Sequence, residues 1–253
     1  MHIKIINPNT TSRFTEKMLA AAQRITAPGT TLEATSPRTG TPSVESHFEE
    51  AIATVGVMEE VLAGEAAGVD AYVIACFGDT GVAQAREIAQ GPVIGMTEAA
   101  YFAACLVAAT FSVITLPPRT KIHAERVLRE SGLQVRCPRV RAIDVPVLDL
   151  DGEDKAVAAA LREEARRAIA DDHAEAVVLG CAGLTELVEP LTQELGVPVI
   201  DGVTVAVKWA EGLVSLGLKT SKVSSFAFPP NKALTGVWAS LSQARVGRSG
   251  GGT

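Results

Sequence analysis

The run Asp70-Ala71-Tyr72-Val73-Ile74-Ala75-Cys76-Phe77-Gly78, continuing to Gly91-Pro92-Val93-Ile94-Gly95, has a second copy in the chain. It is Ala176-Val177-Val178-Leu179-Gly180-Cys181-Ala182-Gly183, continuing to Val197-Pro198-Val199-Ile200-Asp201. In each copy an apolar, β-branched run ends at a cysteine, glycine follows two residues later, and Pro-Val-Ile opens the next run. Cys181 follows Cys76 by 105 positions and Pro198 follows Pro92 by 106, so the spacing is kept to one residue. Such self-similarity predicts a duplication: two halves related by a pseudo-twofold axis, with the cysteines facing each other across it.

Short β-branched runs alternate with segments of helical periodicity along most of the chain, which is the signature of βα units around mainly parallel sheets. The expected strands are Ile3 to Asn7, Thr31 to Thr35, Ala71 to Ala75, Val93 to Gly95, Thr110 to Thr115, Arg139 to Asp144, Ala176 to Gly180 and Val197 to Ile200. Phe14, Met18, Ala22 and Ile25 share one helical face, as do Leu184, Leu187, Val188 and Leu191. The fold class is therefore α/β, with two pseudo-symmetric βα domains and an active site in the cleft between them. Residues 1–97 with 203–226 are expected to form a discontinuous first domain, because the helix from Val203 to Leu216 packs back on it. Residues 98–202 form the second, and 247–253, which lack an apolar side chain, read as a disordered tail.

The chain has 253 residues, 47% of them hydrophobic, enough to build a full core without staples. A formal charge of -6 and the absence of a basic stripe argue against nucleic acid, whose phosphates demand concentrated Lys and Arg. No stretch approaches the ~20 apolar residues of a membrane span, and the start of the chain does not read as an export signal. The cytoplasm is the expected location, and there four cysteines read as thiols rather than disulfides.

In a parallel sheet, ligands bind beyond the carboxyl ends of the strands, where both repeated cysteines fall. The N-terminus of a following helix favours negative charge and is expected to bring a thiol down from its free pKa of ~8.5. Gly78 and Gly183 would let backbone N–H groups approach a substrate oxygen. Two thiols of tuned pKa, one ionised and one not, suffice to take a carbon-bound proton from one face and return one on the other, without metal or cofactor. A lone cysteine at a strand end is more often a small buried hydrophobe. Recurrence at the same point of a repeated unit reverses those odds for Cys76 and Cys181. Cys105, in an apolar helix, reads as packing, and Cys137, between Arg136 and Pro138, has little to support a role.

Ile6-Asn7-Pro8-Asn9-Thr10, Ala75-Cys76-Phe77-Gly78-Asp79, Leu179-Gly180-Cys181-Ala182-Gly183 and Thr220-Ser221-Lys222 together resemble the hydantoin and allantoin racemase branch of the aspartate/glutamate racemase superfamily. The resemblance spans nearly the whole chain and implies two-cysteine proton exchange at C5 of a 5-monosubstituted hydantoin, with no cofactor, in a homo-oligomer. It also implies that Cys76 serves the D-enantiomer and Cys181 the L-enantiomer. Amino-acid racemases of the superfamily place Asn-Thr after the first cysteine. Here Phe77-Gly78 stands instead, which argues for a neutral ring.

The expected substrate-binding residues are Asn9, Phe77, Gly78, Thr115, Ala182 and Gly183. Asn9 carries an amide suited to an imide edge, with an N-cap or turn role as the plain alternative. Thr115 ends the strand that opens the second half. Ser43 and Val44, in a Gly-Thr-Pro-rich segment, are expected to form a lid, or else an ordinary surface loop. His47, His123 and His173 read as solvated. The alternatives are allantoin racemisation, maleate isomerase or arylmalonate decarboxylase chemistry, and a non-enzymatic amide-binding module, which would need no reactive thiol.

Overall fold

The computed structural model describes residues 1–150, 155–239 and 241. The expected apolar runs form eight strands in two all-parallel sheets. The first contains β1 (His2–Ile6), β2 (Thr31–Thr35), β3 (Ala71–Ile74) and β4 (Val93–Gly95), in the order β2-β1-β3-β4. The second contains β5 (Phe111–Thr115), β6 (Val140–Ala142), β7 (Ala176–Gly180) and β8 (Val199–Asp201), in the order β6-β5-β7-β8. The two orders match strand for strand. Ile6 lies opposite Ile74 and Ile114 opposite Leu179, each partner two residues before a cysteine, so Asn7 and Thr115 are equivalent positions.

The central strands β3, β5 and β7 are buried along their whole length, which explains why they read as continuous apolar runs rather than alternating ones. Helix α1 (Ser12–Gln23) turns Phe14, Met18 and Ala22 into the core, and Ile25 packs against it just beyond the helix end. The first strand stops at Ile6, one residue before expectation, although the Asn7 N–H still donates to the Thr35 carbonyl at 2.9 Å. The last strand starts at Val199 rather than Val197; Pro198 has no N–H, and its carbonyl accepts from Val177. The expected helix from Leu184 is split into a 3-10 segment, Ala182–Leu187, and α7 (Val188–Leu195).

Two helices cross between the sheets. Helix α4 (Met96–Val107) leaves the first sheet and buries Ala100, Tyr101 and Ala104 with Phe111, Val113 and Val178 of the second. Helix α8 (Gly202–Ser215) leaves the second sheet and buries Val203, Ala206, Val207 and Ala210 in the core that holds Ile3, Ile5, Ala71 and Val73 of the first. Met96 and Gly202 are equivalent in the repeat, and they touch: a Cβ built on Gly202 would lie 2.1 Å from the Met96 carbonyl oxygen. Only glycine permits that approach. Equivalent residues meet where a twofold axis passes, so the duplication read from the sequence has its axis here.

Beyond α8 the chain returns to the first sheet, where Thr220 Oγ1 donates to the Gly91 carbonyl at 2.6 Å and Lys222 Nζ to the Arg86 carbonyl at 2.6 Å. Residues 247–253, expected as a tail, lie outside the described residues. Among the described residues, no helix is long and apolar enough to cross a membrane.

Candidate active site

Cys76 lies two residues beyond β3 and Cys181 immediately after β7, and both line one small cavity, of about 50 Å³, between the two sheets. Both are free thiols and half-buried. Asn9, Phe77, Thr115, Ala182, Gly183 and Val44 line the same space, with Phe14 and Met18 from α1 and Val147 from a 3-10 turn (Val147–Asp149) that follows β6 and precedes α6 (Lys155–Asp172). Among the described residues lining it, none carries a charge. A free amino acid would leave its carboxylate unpaired here, whereas a neutral ring would not.

The expected depression of the thiol pKa values is not found. Cys76 is followed by an irregular turn, and α3 (Val82–Ile88) begins six residues later, too far for its dipole to matter. Cys181 is the N-cap of a 3-10 segment rather than of an α-helix. Desolvation of the thiolate therefore dominates and pushes Cys76 up to about 12 and Cys181 up to about 11. Two donors pull the other way. Thr80 Oγ1 donates to Cys76 Sγ at 3.5 Å, and the Gly183 N–H donates to Cys181. Each sulfur also feels the other, since a thiolate at Cys181 raises Cys76. That repulsion favours a singly ionised pair, the state a two-base exchange requires.

Several expected contacts turn out differently. Gly78 is absent from the cavity lining, and its N–H is taken by Thr97 Oγ1 at 2.7 Å, so it offers no donor to a substrate oxygen. It is glycine because φ is 112° and because His123 Cβ would lie 2.8 Å from any Cβ placed there. The Thr115 hydroxyl faces Thr120 Oγ1 at 2.8 Å and donates to the Gly180 carbonyl, so this residue shapes the wall rather than offering a free hydroxyl. Asn9 Oδ1 already accepts from Asn7 Nδ2 and the Thr11 N–H, both at 3.0 Å. What Asn9 retains for a ligand is its NH₂, a donor suited to a carbonyl. Ser43 does not line the cavity; it is buried, and its hydroxyl donates to Glu45 Oε1 at 2.8 Å. Thr10 and Thr11 tie the preceding loop to the end of β1 through the Thr41 and Pro42 carbonyls, which fixes where Val44 falls.

Sequence reasoning missed Thr80. The signal was present, because the repeat extends to Cys-x-Gly-x-Thr in both halves, with Thr185 the partner of Thr80. Two buried carboxylates stand beside the site. Asp79 is pushed up to about 7 by burial and by Glu98 nearby, while accepting from the N–H groups of Thr97 and Glu98 at the start of α4. Asp201 accepts from Val203 and Thr204 at the start of α8, and burial raises it too. Both halves thus hold a buried carboxylate on the helix that crosses the axis, supplied from different sequence positions. His123, expected to be solvated, is 4% exposed.

A repeated α/β scaffold with one thiol from each half in a shared, uncharged cavity defines the class, and comparison with known proteins agrees. The model of the Asp/Glu/Hydantoin racemase family matches residues 3–210; the chain belongs to this family and is an isomerase of the racemase type. The chain is 45% identical over 236 residues to the hydantoin racemase of Rhizobium meliloti, covering 93% of this chain and 98% of that one. It is 44% identical over 236 residues to the hydantoin racemase of Pseudomonas sp. (strain NS671), covering 93% and 95%. A solved structure described as allantoin racemase from Klebsiella pneumoniae superposes with a TM-score of 0.93 at 50% identity, covering 95% of this chain and 98% of that one.

Proposed function

We propose that the enzyme interconverts the D- and L-forms of 5-monosubstituted hydantoins by proton exchange between Cys76 and Cys181. The observation that carries this reading is the position of the two sulfurs, each at the end of an equivalent strand, on one uncharged cavity. One thiolate takes the C5 proton, and the C–H electron pair moves onto the adjacent carbonyl oxygen as an enolate. The other thiol then delivers its proton to the opposite face of C5, the pair returns to carbon, and thiolate and thiol have exchanged roles. The Asn9 NH₂ would stabilise the enolate oxygen, and Phe14, Phe77 and Val44 would hold the flat ring. Neither a metal nor an organic cofactor takes part.

Allantoin carries the same ring with a ureido substituent, and the 50% identity to the Klebsiella pneumoniae structure makes it the second substrate to test. The same reading places the enzyme in the cytoplasm as a homo-oligomer. Free thiols suit a reducing compartment, and exposed Phe102 and Leu106 on α4, with Phe48 on α2 (His47–Ala67), supply apolar surface for self-association.

The test follows optical rotation and C5 deuteration of single enantiomers of a 5-alkylhydantoin and of allantoin in D₂O. The native enzyme is expected to bring rotation to zero with one deuterium incorporated per inversion. Cys76→Ser and Cys181→Ser are each expected to abolish racemisation while retaining exchange on one enantiomer. Full racemisation by either variant would sink the two-thiol scheme.

A further inference from the structure

A second cluster lies behind the Cys76 turn, where the two halves meet away from the catalytic cavity. His47 and Glu50 stand in the first turn of α2, and His123 in the first turn of α5 (Lys121–Ser131). His47 Nδ1 lies 3.2 Å and His123 Nδ1 3.5 Å from the same oxygen, Glu50 Oε2, and one ligand atom from each residue falls within 4.8 Å of the others. A tetrahedral zinc ion with bonds of about 2.0–2.1 Å sets its ligand atoms about 3.3 Å apart. The two separations from Oε2 match that spacing.

His123 is 4% exposed, and the nitrogen it turns to Glu50 is Nδ1; its Nε2, elsewhere on the ring, has no hydrogen-bond partner among the described residues and would carry the proton, leaving Nδ1 as the ligand atom. Glu50 Oε1 is engaged by Arg126 Nη2, which leaves Oε2 as the atom turned to the histidines. Burial opposes ionisation of Glu50, but His123 and Arg126 hold its carboxyl down at about 2, so it is an anion under all ordinary conditions. On the outer side, His47 and Glu50 line a cavity of about 680 Å³, through which an ion and a fourth, water ligand would enter.

We infer that His47, Glu50 and His123 form a binding site for a divalent transition-metal ion such as Zn²⁺, bridging the two halves of the chain. The location gives the site a consequence. His47 lies three residues after the cavity-lining Val44. On the other side, His123 presses on Gly78, and Arg126 donates to the Gly78 carbonyl at 2.7 Å, two residues from Cys76. An ion held between α2 and α5 would tie the segment carrying Val44 and the Cys76 turn to the second half.

Because the catalytic thiols themselves attract zinc, the decisive measurement is calorimetric titration of Zn²⁺ into the full chain carrying Cys76→Ser and Cys181→Ser. About one ion per chain is expected, with a rise in Tm, and His47→Ala in that background should weaken binding about tenfold or more. His47→Ala alone should leave metal-free activity unchanged, since His47 is exposed and outside the catalytic cavity. Should the serine variant not fold, Co²⁺ bound by the intact protein serves instead. Its first equivalent should give visible bands without near-ultraviolet thiolate absorption, and His47→Ala should remove them. Absence of saturable binding, equal affinity in the His47→Ala protein, or a thiolate spectrum for the first Co²⁺ overturns the inference. None of these outcomes depends on racemisation, so the two readings fail separately.

Discussion

In the repeat, Gly95 is the counterpart of Asp201, yet only the second half carries its carboxylate there. The first half supplies it from Asp79, and a Cβ on Gly95 would fall 2.3 Å from the Asp79 carboxyl carbon. The two carboxylates therefore occupy one equivalent place from two different positions, and they should be exchangeable. Asp79→Gly alone removes the acceptor for two N–H groups of α4, costing about 2 kcal/mol. Gly95→Asp alone drives a side chain into that carboxylate, costing about 2 kcal/mol or more through overpacking and charge repulsion. The combined variant should lose only about 1 kcal/mol, because Gly95 (φ -77°, ψ 138°) already has nearly the backbone conformation of Asp201 (φ -99°, ψ 129°). A glycine at 79 would also be at ease with the φ of 55° found there. The expected coupling is about 3 kcal/mol, read from urea unfolding of the four proteins at one protein concentration. Additive losses would refute the equivalence and, with it, the account of how the Cys76 turn is anchored.

The other predictions concern the thiols. Thr80→Val removes the donor to Cys76 Sγ, and a one-unit rise in that thiol's pKa would be worth about 1.4 kcal/mol, or a tenfold fall in kcat/KM near neutral pH. The fall must be equal from both enantiomers, because mirror-image substrates have equal free energy; polarimetry and thiolate absorbance check it, and an unshifted thiolate titration would contradict the role. With Cys76 at about 12 and Cys181 at about 11, kcat/KM should climb close to tenfold per pH unit between pH 7 and 9 and fall once both sulfurs ionise. A flat profile over that range would be incompatible with desolvated thiols. Both folded values lie above the ordinary thiol pKa of ~8.5. Their contribution to stability is therefore complete below that pH and is lost as pH rises through about 11 to 12, which denaturation midpoints at increasing pH would report.

Strand identity, parallel pairing and the placement of Cys76 and Cys181 were legible in the chain because they rest on local periodicity and on a repeat. Both properties survive when residues are read in order. The strand ends shifted by a residue or two at Asn7 and at Pro198, which has no N–H to give the ladder, an effect of hydrogen-bond geometry that hydropathy does not encode. Gly78 shows the limit more sharply. Its glycine identity promised a free N–H near the substrate, but the residue answers to His123 and Thr97, one from each side of the cleft and neither adjacent in sequence. The thiol pKa values show it again. A nearby helix start suggested a lowered value, whereas the intervening turn and the walls packed around each sulfur raise it. The sequence by itself determined the duplicated α/β plan and the two sulfur positions, because those follow from short-range pattern. Tertiary structure alone decided which donors stay free, which carboxylate caps α4, and that His123 is buried beside Glu50, because desolvation and hydrogen bonding depend on neighbours brought together from distant parts of the chain.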